Sequence, residues 1–242
     1  MGRKIVYILC ILVVLFGVIM ATNALSQKSE NQIEVKLETT LPSAPSKVTY
    51  YKVVSEDRKF YASPKMMKPK KFVPSKDVAI KIAEEYLSKN GGLPKDAVLK
   101  MVETVTLKAL NVKTGEIVAE RPLCVDIKYK RVINGHPVIG PCDEIELSIG
   151  ENEVIYFSKL WRKLEPVGAV EIISAEDALS KLKSGEIINK PMYIQQPITV
   201  HDVKLGYYAT IGKQDFYTPV WIFYCKDGFG NNLTLAVNAV KY

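Results

Sequence analysis

Hydrophobic positions along this chain fall into three kinds of pattern: one unbroken run, two short helical stripes and several alternating stretches. The unbroken run is residues 5–21 (IVYILCILVVLFGVIMA), preceded by Arg3 and Lys4 and followed by no charge until Lys28. As a helix it spans about 26 Å. With Thr22, Asn23 and Ala24 added it matches the ~30 Å hydrocarbon layer of a membrane. The flanking Arg3 and Lys4 keep the N-terminus cytoplasmic, so the run predicts a signal anchor over residues 1–24. A cleaved signal peptide is the alternative, with Thr22-Asn23-Ala24 as a small-x-small cleavage site. Either reading delivers the remainder of the chain outside the cytoplasm. Residues 25–47 are polar, with Pro42, Pro45 and several Ser and Thr, and predict an extended stalk.

Beyond the stalk the periodic elements begin. Residues 47–54 (KVTYYKVV) are β-branched and aromatic, a short strand. Val78, Ala79, Ile82, Ala83, Tyr86 and Leu87 recur at helical spacing after the N-cap Ser75, which predicts a helix over 76–89 closed by Asn90-Gly91-Gly92. Strands follow over 98–110, from Ile117, over 123–133 and over 154–160. In the third, Leu123, Val125, Ile127 and Tyr129 alternate with Cys124, Asp126, Lys128 and Lys130. Asn134-Gly135 marks a hairpin turn, and Ile145, Leu147 and Ile149 form the apolar face of the return strand. Pro166–Gly168 reads as a joint. After it Ser174-Ala175-Glu176-Asp177 is a capping box opening a helix that ends at Gly185, and strands follow over 198–210, 220–225 and 233–240.

Helix followed by antiparallel strands thus occurs twice. The expected class is α+β: an N-terminal transmembrane helix, then two tandem modules, each a helix packed on an antiparallel sheet. The expected divisions are 1–24 (anchor or signal peptide), 25–47 (stalk), 48–165 (first module) and 166–242 (second module).

Composition narrows the chemistry. The chain has 242 residues, 48% of them hydrophobic and 24% charged, which excludes a disordered polyampholyte. HExxH, GxSxG, GxxxxGK[ST], GxGxxG and CxxC are all missing, and two histidines leave little for a metal centre, so no cofactor or metal is expected. The net charge of +7 is concentrated between Lys52 and Lys71, where Lys65, Lys68, Lys70 and Lys71 form a candidate basic contact for anionic headgroups, acidic polymers or an acidic partner. With no groove-reading helix beside it, nucleic acid is not an expected partner.

Several side chains qualify as candidates, each beside a plainer role. His136 follows the Asn-Gly turn, and His201-Asp202 opens a strand. Asp143, Glu144 and Glu146 form an acidic cluster in which Glu144 and Glu146 share a strand face, the arrangement of a paired acid and base or of an exposed polar face. Residues 227–232 (DGFGNN) resemble a calcium loop but lack its ligand order, so a hairpin turn is expected. Cys124 and Cys142 are a candidate disulfide if Gly140-Pro141 bulges the return strand into register; Cys225 reads as a buried thiol. Asn232-Leu233-Thr234 is a candidate glycosylation sequon. Tyr207, Tyr208, Phe216 and Tyr217 are candidates for a partner-binding rim or for loop packing.

Val132-Ile133-Asn134-Gly135-His136-Pro137-Val138 with Ile145-x-Leu147-x-Ile149-Gly150, the helix opening at Ser174–Gly185, and the strands carrying Leu205-Gly206-Tyr207-Tyr208, Thr218-Pro219-Val220-Trp221 and Leu233-x-Leu235-x-Val237 resemble extracytoplasmic PepSY-type and thermolysin-propeptide-like modules. Related tandem arrangements occur in membrane-anchored regulators of the YycH/YycI kind. The resemblance covers roughly residues 75–242 and rests on turns, caps and core strands. It implies a non-enzymatic binding or regulatory protein, held at the membrane by its N-terminal helix and acting on an envelope protein such as a protease or sensor. The alternatives are an envelope hydrolase using the acidic cluster or His201-Asp202, and a passive structural component of the envelope. The sequence leaves the oligomeric state open.

Overall fold

The structure is a computed structural model that describes residues 32–241. The apolar run and the anchor expected from it lie outside the described residues. Among the described residues no helix is long and apolar enough to cross a membrane. In chain order the elements are β1 (Val35–Leu37), β2 (Lys47–Ala62), α1 (Lys76–Lys89), β3 (Ala97–Leu110), β4 (Ile117–Ile133), β5 (His136–Ile139), β6 (Glu144–Gly150), β7 (Glu153–Glu171), α2 (Ala175–Lys183), β8 (Ile198–Tyr208), β9 (Phe216–Lys226) and β10 (Asn232–Asn238).

The expected class is corrected by this arrangement. Strands take 53% of the described chain and helices 11%, and the strands join in one mixed ten-stranded sheet instead of two tandem helix-on-sheet modules. Two parallel pairings, β1 with β8 and β5 with β8, break the antiparallel meander that the turns suggested. The reason is long-range: no local pattern announces that β8 returns beside strands remote from it in the chain.

The chain divides into two compact units, each assembled from separated segments. Among the described residues the first comprises 32–43, Ser174–Val203 and Ile222–Val237. In it α2 is capped by the Ser174 side chain on the Asp177 amide and buries Ala175, Ala178 and Leu182. Ile198, Val200, Ile222, Phe223, Leu235 and Val237 are buried with it. β1 runs parallel to β8 with Val35 opposite Ile198.

Among the described residues the second unit comprises Ala44–Ile173, Lys204–Trp221 and 238–241. Its strands β3, β4, β6, β7 and β2 lie side by side and antiparallel. The expected helix forms as α1, with Ser75 accepting from the Val78 amide and Asp77 in the first turn. Its Ala79, Ala83 and Leu87 pack on Val125, Ile127, Tyr129, Ile145, Leu147, Ile149, Phe157 and Trp161. Two alanines one turn apart let the helix approach the sheet closely. At its other end Lys59 Nζ donates to the Asn90 carbonyl at 2.8 Å, tying β2 to the helix C-terminus.

Asn134 and Gly135 both adopt positive φ, as the two-residue hairpin requires, but the hairpin is short. β5 pairs with β4 only through Val132↔Pro137 and Ile133↔His136, then Val138 and Ile139 pair with Tyr207 and Tyr208 of β8. Gly140 turns the chain back at φ 101°, where a Cβ would stand 2.3 Å from the Ala209 carbonyl oxygen. β6 then rejoins β4 with Glu144 opposite Lys130. Pro166–Gly168 lies inside β7, as a bulge opposite Tyr50 and Tyr51.

Two substitutions test this core by chemical denaturation of the full chain. Leu147→Ala, at a fully buried site under α1, lowers stability by about 2–5 kcal/mol. Tyr129 carries a buried hydroxyl with no hydrogen-bond partner, so Tyr129→Phe leaves stability unchanged or raises it by about 1 kcal/mol.

Candidate functional site

The second unit is held by a buried ionic cluster. Asp143 opens β6 in a left-handed conformation, φ 55°, with no exposed surface. It accepts from Arg131 Nη1 at 2.9 Å, from the Arg162 amide at 3.0 Å and from the Tyr217 hydroxyl. Burial raises its carboxyl above the usual range, and these donors limit the rise. Arg131 lies 4.5 Å over the Trp161 ring and donates through Nη2 to the Arg162 carbonyl. Its Nε sits 2.8 Å from Asp96, an ion pair too bent to be a hydrogen bond. Arg162 spends its guanidinium on Glu56, on Gln214 and on the carbonyls of Thr210 and Gly212. The cluster fixes the loop between β8 and β9 to β7 and β2. Every one of its charges has a partner, so its role is structural.

One sheet face of this unit is taken by α1. The other presents Asp126, Lys128 and Lys130 from β4, Glu144, Glu146 and Ser148 from β6, and Tyr156 from β7, as the alternation in β4 and β6 predicts. Lys128 Nζ bridges Glu144 at 3.0 Å and Glu146 at 2.5 Å, and Lys130 pairs with Glu144. Burial pushes the Glu144 carboxyl up, but the hydrogen bond with Glu146 and the two ammoniums outweigh it and hold Glu144 down to about 2. Glu146 is displaced the other way, raised by its hydrogen bond to Glu144 and by burial. The pair therefore holds one ionised and one more readily protonated carboxyl. Beside it Ser148 and Cys124 both donate to Asp126, at 2.6 and 3.2 Å. A cavity of about 290 Å³ opens here, walled by Met66, Met101 and Tyr156 over Asp126, Glu146 and Ser148. Among the described residues no group of three or more His, Cys, Asp or Glu side chains is placed to hold a metal ion.

The edge of the same sheet is β3. Among the described residues this fourteen-residue strand pairs with β4 alone. β4 pairs with β6 only from Val125 to Lys130, so the stretch of β3 and β4 spanning residues 106–122 stands as a two-stranded ribbon. Leu107, Leu110, Val112, Ile117 and Val118 are exposed on it, Val112 completely.

The structure separates most of the candidate residues. Asp143 is buried in the ionic cluster, apart from the Glu144–Glu146 pair on the open face. Tyr207 is buried with its hydroxyl on the Thr49 carbonyl, and Tyr217 is buried on Asp143. Phe216 stacks on Tyr50 at 5.1 Å, and Tyr208 is half-buried, so the four aromatics do not share an exposed rim. Cys124 and Cys142 are free thiols at opposite ends of the β4–β6 pairing. About eight residues of strand, roughly 26 Å, separate them in this register, beyond disulfide reach. Cys142 donates to the Thr210 carbonyl instead, and burial pushes the Cys124 thiol up to about 12. Cys225 is buried. His136 contacts the Leu205 carbonyl at 3.2 Å through Nδ1, and His201 is exposed on β8. Asp227 accepts from the amides of Phe229 and Asn231, so its carboxylate belongs to the hairpin turn. Asn232 is exposed at the start of β10. Lys65, Lys68, Lys70 and Lys71 lie together on an ordered loop between β2 and α1. Arg131 and Arg162 were not among the candidates. Arg131 carries a signal, since it continues the buried parity of Val125, Ile127 and Tyr129.

No known protein family matches the chain, and no curated protein does. Among solved structures it is similar to an uncharacterized protein from Eubacterium rectale ATCC 33656, at 14% identity and a TM-score of 0.38. The similarity covers 71% of this chain and 55% of that one, so the chain spans about half the length of that protein.

The ionic groups make separate predictions. Asp143→Ala leaves the buried Arg131 guanidinium without its buried carboxylate and the Arg162 amide and Tyr217 hydroxyl without their acceptor, and lowers stability by about 3–5 kcal/mol, measured by denaturant titration. The two glutamates differ in sign. Glu144, depressed in the fold, stabilises it above its ordinary value of 4.5, and that contribution is lost as pH falls through about 2. Glu146, raised in the fold, stabilises it below 4.5 and loses that contribution as pH climbs through its raised value. At neutral pH Glu144→Gln therefore lowers stability by about 1–3 kcal/mol, whereas Glu146→Gln leaves it unchanged or higher.

Proposed function

We propose that this chain is a non-catalytic binding module of the cell envelope, tethered to the membrane by its apolar N-terminal run. It captures an extracytoplasmic protein partner, such as a protease or sensor, by taking an extended segment of it as a further strand along β3. The observation that carries this reading is the free edge of β3, which offers a row of backbone N–H and C=O groups to an incoming strand. Main-chain bonds supply affinity, and the exposed Leu107, Leu110, Val112, Ile117 and Val118 supply contact area. A two-stranded ribbon is marginal in water by itself, so a third strand stabilises it. Lys100 and Lys108 on the same strand discourage self-pairing. The likeness of residues 132–138 and 145–150 to extracytoplasmic regulatory modules points the same way.

One observation favours the hydrolase reading: Glu144 and Glu146 sit beside a cavity with their carboxyls displaced in opposite directions, as an acid and its partner base are. Both carboxyls are also engaged by Lys128 or Lys130, which serves folding better than turnover, so binding stands first.

Photo-crosslinking groups placed at Leu107 and Val105 of the full-length protein in its native membrane should trap one envelope protein. The same group at Lys81 or Glu84 on α1 should not trap it. Leu107→Glu with Val112→Glu should weaken binding to that protein at least tenfold, about 1.4 kcal/mol, with an unchanged circular dichroism spectrum. Equal trapping from α1 contradicts the proposal, as does an adduct with a second copy of this chain alone.

A further inference from the structure

The loop between β2 and α1 is rich in lysine and proline, a composition that ordinarily gives a solvated connector. Here it is built. Two successive turns close it, Met66 N to Ser63 O and Lys68 N to Lys65 O, both at 3.0 Å. The Ser63 amide donates to the Ile155 carbonyl and the Lys70 amide to the Pro122 carbonyl. Lys65 pairs with Glu153 at 2.9 Å, the Lys71 amide reaches the Glu151 carboxylate, and Lys70 Nζ bonds back to the Lys65 carbonyl. Met66 turns inward as a wall of the cavity.

This scaffolding leaves a specific set of side chains outward. Met67 is 71% exposed and Phe72 50%, with the exposed ammonium-bearing Lys68 and Lys71 beside them. Phe60, also 71% exposed, continues the apolar surface: its ring meets Tyr156 edge-on at 5.7 Å, and Tyr156 faces the same cavity as Met66. Large apolar side chains held in water among lysines, on a loop whose ordering is already complete, match an interface that is apolar beneath and anionic above.

We propose that this loop docks on an anionic lipid surface, with Met67 and Phe72 entering the boundary between headgroups and acyl chains and Lys68 and Lys71 on the phosphates. The electrostatic match favours lipid over an acidic protein because the lysines alternate with apolar side chains instead of with hydrogen-bonding ones. The inference is independent of strand capture at β3; it shares only the placement of the chain beside a membrane.

Fluorescence separates the outcomes. Met67→Trp in the full-length protein, reconstituted in vesicles containing brominated lipid, places a reporter on the exposed loop; the native Trp161 and Trp221 are buried. The vesicles are either phosphatidylcholine alone or phosphatidylcholine with phosphatidylglycerol. Quenching of the loop reporter should appear with phosphatidylglycerol, fall with added salt, and be weak in phosphatidylcholine alone. Lys68→Gln with Lys71→Gln should lower the ratio of docked to undocked loop roughly twenty-five-fold, taking each lysine as about fivefold near an anionic surface. Phe72→Trp repeats the reading from a second position. Absence of quenching from both positions with phosphatidylglycerol overturns the proposal. So does equal quenching in both vesicles, or a reporter that responds to an acidic protein but not to lipid. Crosslinking from β3 should be unchanged in the lysine variant, so the two proposals fail separately.

Discussion

A carboxylate with no access to water sits between one buried guanidinium and the backbone amide of a second buried arginine, and the second unit is arranged around that fact. Asp143 cannot be buried alone, and neither can Arg131 or Arg162. Satisfying all three brings together the start of β6, the end of β4, the middle of β7 and Tyr217 of β9. The remaining valences of Arg162 then recruit Glu56 from β2 and the carbonyls of the loop before β9. Such a cluster contributes little net stability compared with an apolar replacement, but it tolerates very few geometries. It selects this strand arrangement over others that would bury the same apolar faces.

With the register set in this way, the uses of the sheet surfaces follow. The apolar face of β4, β6 and β7 is covered by α1, and the two alanines of the contact keep helix and sheet close. The opposite face keeps Lys128 and Lys130 paired with Glu144 and Glu146, and Asp126 hydrogen-bonded to Ser148 and Cys124, which makes it compatible with solvent. β3, held from one side only, is left with an unused row of backbone groups. The features offered for binding, an edge and an outward loop, are therefore what remains after the charge cluster and the helix have taken their places.

Local structure was legible in the residues where one face is buried and the other wet. Helix α1 with its Ser75 cap, the alternation in β4 and β6 and the Asn134-Gly135 turn all follow from side-chain periodicity and turn chemistry. The length of β2 and β7 did not: each runs far beyond the expected 47–54 and 154–160, because residues 55–62 of β2 are exposed throughout and carry no alternation, and the extension of β7 is held by pairing with residues 47–57 of β2. The tandem organisation failed for a different reason. Parallel pairing of β5 and β1 with β8 depends on contacts between segments remote in the chain, which periodicity does not report. Glu144 and Glu146 were placed on one face by their spacing alone, whereas the aromatic group around Tyr207 and Tyr217 was divided between core and surface by hydroxyl partners that only the folded chain reveals.

Amide hydrogen exchange along β3 in the full-length protein tests most directly whether its edge is kept open for a partner. The account requires alternate β3 amides, those turned away from β4, to exchange rapidly in the protein alone while β6 amides exchange slowly. On addition of a partner trapped at β3, the fast set should become protected. Slow exchange along the whole of β3 in the isolated protein would contradict it, as would fast exchange left unaltered in the complex.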